Sequence, residues 1–141
     1  MRRFELAPGG IRSKLTLVPC MIAALAAGAG AQELTPANAR LAFAEAEEVV
    51  AASGGIWSQP LRGPVLFVDR ATRRAIGSVA DSGGVLSAEG GVYVGTLPDG
   101  IGIANMGFDW GGRRWTMLVW PLPAGPLTRR VLLGHEMFHA L

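Results

Sequence analysis

Glycines and prolines interrupt the chain every few residues between positions 57 and 123. The stretches between them are short and rich in β-branched and aromatic residues, a pattern that favours strands and turns over long helices. Strands are predicted at residues 64–69 (PVLFVD), 74–81 (RAIGSVAD), 91–98 (GVYVGTLP) and 113–123 (RRWTMLVWPLP). This half of the chain therefore predicts a small sheet.

A hairpin is predicted near the end of this region. Residues 101–108 and 113–120 flank the turn sequence Asp109-Trp110-Gly111-Gly112, which suits a tight antiparallel connection. The sheet is therefore expected to be rich in antiparallel pairs. The three tryptophans at positions 110, 115 and 120 are expected to pack in the core, the commonest place for such large side chains.

Helical patterns precede and follow the predicted sheet. Thr35 and Pro36 are typical of an N-cap and a first helical position. They predict a helix over residues 36–52, and the glycines that follow at positions 54 and 55 stop it from continuing. A second helix is predicted from about Thr128, with one broad face formed by Val131, Leu132, His135, Phe138 and His139. Helices at both ends of a sheet-forming region predict the α+β class.

The second predicted helix carries no stop signal. It ends on Ala140-Leu141, with no glycine cap and no polar tail. We therefore expect this helix to be truncated, so that residues 32–141 form one incomplete α+β domain.

The first 31 residues resemble a secretory signal peptide. Four basic residues precede an apolar run, residues 15–27, that is too short to span a bilayer comfortably, and Ala29-Gly30-Ala31 supplies an A-x-A cleavage pattern. This predicts cleavage before Gln32, export to the periplasm or the cell exterior, and no stable membrane insertion afterwards. A short membrane anchor or a buried helix is the alternative.

Charge and cysteine content narrow the possible partners of the exported part. The full chain has 13 basic and 11 acidic residues, and residues 1–31 hold four of the former and one of the latter, which leaves a net charge of −1 for the remainder. The arginines form no basic stripe, so nucleic-acid binding is not expected. Cys20 is the one cysteine and lies in the predicted signal, so no disulfide or thiolate metal ligand is expected after it.

The last predicted helix contains the sequence His135-Glu136-Met137-Phe138-His139, which has the form H-E-x-x-H. Residues four apart on a helix are neighbours on one face, so His135 and His139 are placed to give two ring nitrogens to one metal ion. Glu136 lies one step round the helix, where it reaches a metal-bound water rather than the metal. The residue types and their spacing therefore predict a zinc site with a carboxylate base.

Residues 134–141 resemble the active-site helix of zincin metallopeptidases, which follows a small sheet in that family. The resemblance implies that His135 and His139 bind Zn²⁺, that Glu136 is the catalytic base, and that a peptide or protein is the substrate of zinc-dependent hydrolysis. Zincins take a third ligand from downstream of this helix, and this sequence ends first. The chain alone is therefore expected to bind zinc weakly and to hydrolyse nothing.

One further feature of zincins bears on this chain. An edge strand above the helix holds the substrate in zincins, and residues 101–105 or 115–120 are the candidates for that strand.

The Gly100–Ala104 sequence also resembles the glycine motif of peptide deformylases. Those enzymes need a cysteine ligand between this motif and H-E-x-x-H, where this chain has no cysteine, and a glutamine where this chain has Gly107, so this relationship is rejected.

Two other interpretations of the H-E-x-x-H sequence stay open. In the first, the chain is an exported, non-catalytic binding or envelope module whose histidines are incidental residues on the apolar side of a packed helix. In the second, the chain binds a metal ion without hydrolysing anything.

Overall fold

A computed structural model describes residues 32–54, 61 and 63–141 of the chain. Two helices and one six-stranded sheet make up this part, which confirms the α+β class. The helices are α1 (Pro36–Ala52) and α2 (Pro126–His139). The strands are β1 (Val65–Asp69), β2 (Arg74–Gly77), β3 (Ser87–Glu89), β4 (Val92–Thr96), β5 (Met106–Trp110) and β6 (Arg113–Trp120).

The strand order in the sheet is β3-β4-β2-β1-β6-β5. Strands β1 and β6 run parallel, and the other four neighbouring pairs are antiparallel. The expectation of an antiparallel-rich sheet is confirmed.

The predicted signal peptide at residues 1–31 lies outside the described residues. No helix in the described part is long and apolar enough to cross a membrane.

The predicted hairpin is present as β5 and β6, joined by Gly111 and Gly112. Both glycines have positive φ, 58° and 70°, the left-handed conformation that a two-residue hairpin turn requires and that glycine adopts at low cost. The first strand of the hairpin begins at Met106 rather than at residue 101. The three-residue strand β3 was not predicted, because three exposed residues carry no apolar alternation.

Helix α1 has the predicted bounds. The Thr35 side chain caps it by accepting a hydrogen bond from the Asn38 backbone N–H at 3.2 Å. Its buried residues are all alanines, so the helix lies close to the sheet: Ala39, Ala42 and Ala46.

Both helices pack on one face of the sheet. Phe67 on β1 is fully buried there, with its ring stacked on Phe43 at 4.7 Å between centroids and edge-on to Trp120 at 5.6 Å. The opposite face is a second apolar cluster built around Trp115 and Met117, and loop residues such as Ile101 pack against it. Because side chains alternate along β6, consecutive residues of this strand serve the two clusters in turn.

Helix α2 does not bury the face that the sequence indicated. Leu133, Glu136 and Met137 are its buried residues, whereas Val131 and Phe138 are 63% and 42% exposed. The prediction that both histidines face the apolar side is therefore wrong, since both are exposed. Apolar residues lie all round this helix, so periodicity alone did not identify the side that packs on the sheet.

The position of the edge strand also needs correction. Residues 115–120 belong to β6, which is paired on both sides, and residues 101–105 form no strand. The edge strand nearest to α2 is β5. Arg73 anchors the segment that leads into it, donating hydrogen bonds to the carbonyls of Leu97 at 2.9 Å and Ile101 at 2.8 Å.

Candidate metal site

His135 and His139 lie one turn apart on the exposed side of α2. Their Nε2 atoms are 3.1 Å apart, and the ring centroids are 4.5 Å apart with the ring planes at 86°. Helical spacing alone brings the two rings together, as the sequence predicted. At this distance, one ring N–H donates a hydrogen bond to the other ring, or one cation replaces that proton.

The spacing of the two nitrogens fits a tetrahedral zinc ion. Two nitrogen ligands at about 2.0–2.1 Å from the metal and separated by the tetrahedral angle lie roughly 3.3 Å apart. The observed 3.1 Å is close to that value. Within the residues that the structure describes, no group of three or more histidine, cysteine, aspartate or glutamate side chains could hold a metal ion.

Glu136 differs from the histidines on either side of it. It is only 7% exposed, because it points from the buried face of α2. Its carboxylate has no hydrogen bond or ion pair to any residue in the described part of the chain. The H-E-x-x-H sequence therefore combines two exposed histidines with one largely buried glutamate, whose carboxylate is paired with no group in the described part of the chain.

The end of α2 that carries His139 rests on the β5–β6 hairpin. Arg114 Nη2 donates a hydrogen bond to the His139 carbonyl oxygen at 3.2 Å, and Arg114 Nη1 lies 3.3 Å from the Asp109 carboxylate. At Gly107, an added Cβ would lie 2.6 Å from the same carbonyl oxygen. We call Gly107, Asp109 and Arg114 the strand contact of α2.

The other end of α2 is tied to α1 by ion pairs. Arg129 Nε lies 2.5 Å from a carboxylate oxygen of Glu45, and Arg130 pairs with Glu48. Arg130 Nε also lies 3.8 Å from Glu45. These contacts fix α2 against α1, while the strand contact fixes its last turn against β5.

Two cavities of the described part lie away from the histidines. A cavity of about 480 Å³ between α1 and the β6–α2 connection is lined by Trp120, Leu122 and the Glu45–Arg129 pair, and a second of about 300 Å³ lies between α1 and β1. Neither His135 nor His139 lines either cavity. The candidate site is therefore an open surface site beside the edge strand.

Sequence reasoning identified His135, Glu136 and His139 but missed the strand contact. In the sequence, Gly107 is compared only with the glutamine of an enzyme motif, and the arginines are considered only as a possible basic stripe. The nearest sequence signal is a glycine inside a predicted strand, which often marks a close approach of another backbone. Comparison with known proteins adds nothing to this site, because no family model, curated protein or solved structure matches the chain.

Proposed function

We propose that this chain belongs to an exported, zinc-dependent peptidase, with His135 and His139 as zinc ligands and Glu136 as the base. The observation that carries the proposal is the 3.1 Å separation of the two exposed Nε2 atoms on a helix whose intervening residue, Glu136, supplies a carboxylate. An incidental pair of core histidines would be buried and satisfied by its surroundings instead.

The chemistry divides among the three side chains. When bound, zinc lowers the pKa of a water molecule to about 7 and polarises a substrate carbonyl. The two histidines would hold the ion. Glu136 accepts the proton of the attacking water and passes it to the leaving amine, the role of a general base that becomes a general acid.

The edge strand β5 supports a peptide as the substrate. In a hairpin with a two-residue turn, the residues that flank the turn, Trp110 and Arg113, exchange both hydrogen bonds. The N–H groups of Asp109 and Gly107 therefore point away from β6, beside the end of α2. An extended peptide that adds to this edge lies along the helix that carries the histidines.

The number of ligands limits what the chain does alone. The described residues offer two nitrogen ligands, and catalytic zinc sites have three protein ligands. We therefore expect weak zinc binding and no hydrolysis until a third ligand is supplied. The same observation favours a second candidate function, metal binding without hydrolysis.

Zinc titration of the full chain tests the metal site. We expect the wild type and Glu136→Gln to bind zinc with similar affinity, and His135→Ala and His139→Ala to lose most of it. If His135→Ala keeps the zinc content of the wild type, the chain is a non-catalytic module. In a form that supplies the third ligand, Glu136→Gln should abolish cleavage of an unstructured protein such as casein. Unchanged cleavage would show that Glu136 is not the base, although the metal site would stand.

Export is a separate part of the proposal. The charged start, the short apolar run and the small residues before Gln32 support cleavage by a signal peptidase. N-terminal sequencing of protein recovered from outside the cytoplasm should begin at Gln32. An uncleaved Met1 start in a membrane fraction would instead identify the segment as an anchor.

A further inference from the structure

We infer that the signal peptide is removed before the chain folds, because the residues that follow the predicted cleavage site are built into the folded body. The inference rests on the export part of the proposed function and does not involve the metal site. It concerns residues 32–35, which lead into α1 and which we call the N-terminal lead. Cleavage is hydrolysis of the Ala31–Gln32 bond by a signal peptidase: water adds across the bond, which leaves a carboxylate on Ala31 and an ammonium group on Gln32.

Two strands of the sheet hold the N-terminal lead by its backbone. Trp120 on β6 is 4% exposed, and its indole N–H donates a hydrogen bond to the Gln32 carbonyl. Arg74 on β2 donates from Nε to the Leu34 carbonyl at 3.1 Å. The two donors lie 88 and 40 residues along the chain from their acceptors. Both contacts therefore exist only after the sheet has formed.

Helix α1 holds the other two carbonyls of the N-terminal lead. Asn38 Nδ2 donates to the Glu33 carbonyl at 2.8 Å, and the Ala39 N–H donates to the Thr35 carbonyl at 2.9 Å. With the two contacts from the sheet, four consecutive carbonyls accept a hydrogen bond from the folded body. The backbone of the N-terminal lead is therefore fixed at every residue.

The Leu34 side chain adds an apolar anchor. It is 2% exposed and belongs to the core cluster that contains Phe67 and Trp120. Withdrawing it from the core exposes its apolar surface to water and leaves a cavity behind. Leu34 is also the third residue after the predicted cleavage site, so a protease that cleaves before Gln32 must handle this part of the chain.

A folded precursor protects the bond before Gln32. Proteolysis concentrates at ends and loop tips that are not tied down, because a protease binds the residues around its target bond as a free segment. Cleavage of the folded precursor therefore waits until the N-terminal lead leaves the fold, and the small open population limits its rate. The unfolded chain meets no such barrier. The chain thus crosses the membrane unfolded, loses its signal peptide, and then docks the N-terminal lead.

The experiment measures how fast a detergent-solubilised signal peptidase cleaves the folded full-length precursor. The reference is a peptide of residues 1–40, which contains the bond but lacks both Arg74 and Trp120. We expect the folded precursor to be cleaved at least about a hundredfold more slowly than the peptide, because opening must come first. Equal rates would overturn the inference and leave export intact. A peptide that is not cleaved would overturn the cleavage before Gln32 on which the inference rests.

Two variants test whether docking of the N-terminal lead causes the protection. Arg74→Ala removes one donor without changing the sequence around the bond, and it should speed cleavage of the folded precursor about fivefold. Leu34→Ala should speed it roughly thirtyfold or more, the lower range for truncating a buried leucine. Because Leu34 lies near the bond, its rate is compared with that of a peptide carrying the same change.

The matched control is Leu41→Ala, since Leu41 is a leucine of α1 that is 71% exposed, and this change should leave the cleavage rate unaltered. Urea midpoints show whether each precursor is folded before the protease is added. If Leu34→Ala does not fold, Arg74→Ala decides the question. Cleavage of the folded Arg74→Ala precursor at the wild-type rate would then overturn the inference.

Discussion

The carbonyl oxygen of His139 lies 2.6 Å from the point where a Cβ at Gly107 would stand. The end of the H-E-x-x-H helix therefore touches the backbone of the edge strand directly. This close approach joins the candidate metal site to β5, the strand that the proposed peptide substrate would use.

A methyl group at Gly107 should push α2 away from β5. We expect Gly107→Ala to lower the free energy of unfolding by about 1–3 kcal/mol, the usual cost of adding a methyl group where there is no room. Urea denaturation measures the change. Gly102→Ala is the control, because a Cβ there meets nothing within 4 Å, and it should change stability by less than about 0.5 kcal/mol.

Phe67 should be among the most costly core residues to truncate. It is fully buried between Phe43 and Trp120, so Phe67→Ala loses both ring contacts and leaves a cavity. We expect a loss of about 3–5 kcal/mol by urea denaturation. Phe43→Ala should cost less, because Phe43 is only half-buried; an equal or larger cost would contradict this account of the core.

Two of the three ion pairs between the helices should differ in strength. Side-chain exposure is 28% and 16% for Arg129 and Glu45, against 52% and 63% for Arg130 and Glu48. Solvent screens the second pair more, so double-mutant cycles should give a coupling of about 1 kcal/mol for Arg129–Glu45 and below about 0.5 kcal/mol for Arg130–Glu48. The reverse order would show that exposure does not determine their strength.

The carboxyl group of Asp81 should make the free energy of unfolding depend on pH in the acid range. Partial burial raises the pKa of Asp81, but backbone N–H groups of Leu86, Val85 and Gly83 donate to its carboxylate and lower that pKa by more, so it lies below its ordinary value. A carboxyl group whose pKa is lower in the folded state stabilises the fold above its unfolded pKa of about 3.9. That stabilisation is lost as the pH falls through the folded-state pKa.

The variant Asp81→Asn should therefore be less stable than the wild type at neutral pH. The difference should shrink as the pH falls below about 4, because the wild-type carboxyl group is then protonated as well. Urea midpoints measured across this range test the effect. Asp99→Asn serves as the control for an exposed carboxylate. A stability difference that stays constant down to the acid limit would rule out the ionised carboxylate as its source.

Proline at the outer edge of β5 should block substrate addition. The Asp109 N–H points away from β6, so Asp109→Pro removes a donor that an added peptide strand needs while keeping the hairpin ladder. In a form of the protein that cleaves peptides, this variant should lose cleavage of casein and retain zinc. Asp109→Ala, which keeps its backbone N–H but also loses the ion pair with Arg114, is the control, and any loss of cleavage that it shares with Asp109→Pro belongs to that ion pair. Full activity in Asp109→Pro would exclude β5 as the substrate strand.

Local patterns in the sequence were sufficient for several elements. The bounds of α1 follow from Thr35, Pro36 and the alanine-rich run, because a cap and a first-turn proline act within a few residues. The β5–β6 hairpin follows from Gly111 and Gly112, and the pairing of His135 with His139 follows from the pitch of a helix. Each of these features depends on neighbours in the chain, so tertiary packing was not needed to predict it.

Tertiary packing decided which side of α2 is buried and which strand lies at the edge. Glu136 and Met137 turn inward, and the histidines turn outward, because Arg114 and Gly107 place the end of α2 on the hairpin. The sequence alone determined an α+β chain with two histidines at metal-binding distance. The structure placed that pair at the surface beside β5. Contacts between residues far apart in the chain fix how a helix is rotated on a sheet, and these contacts cannot be predicted from helical periodicity.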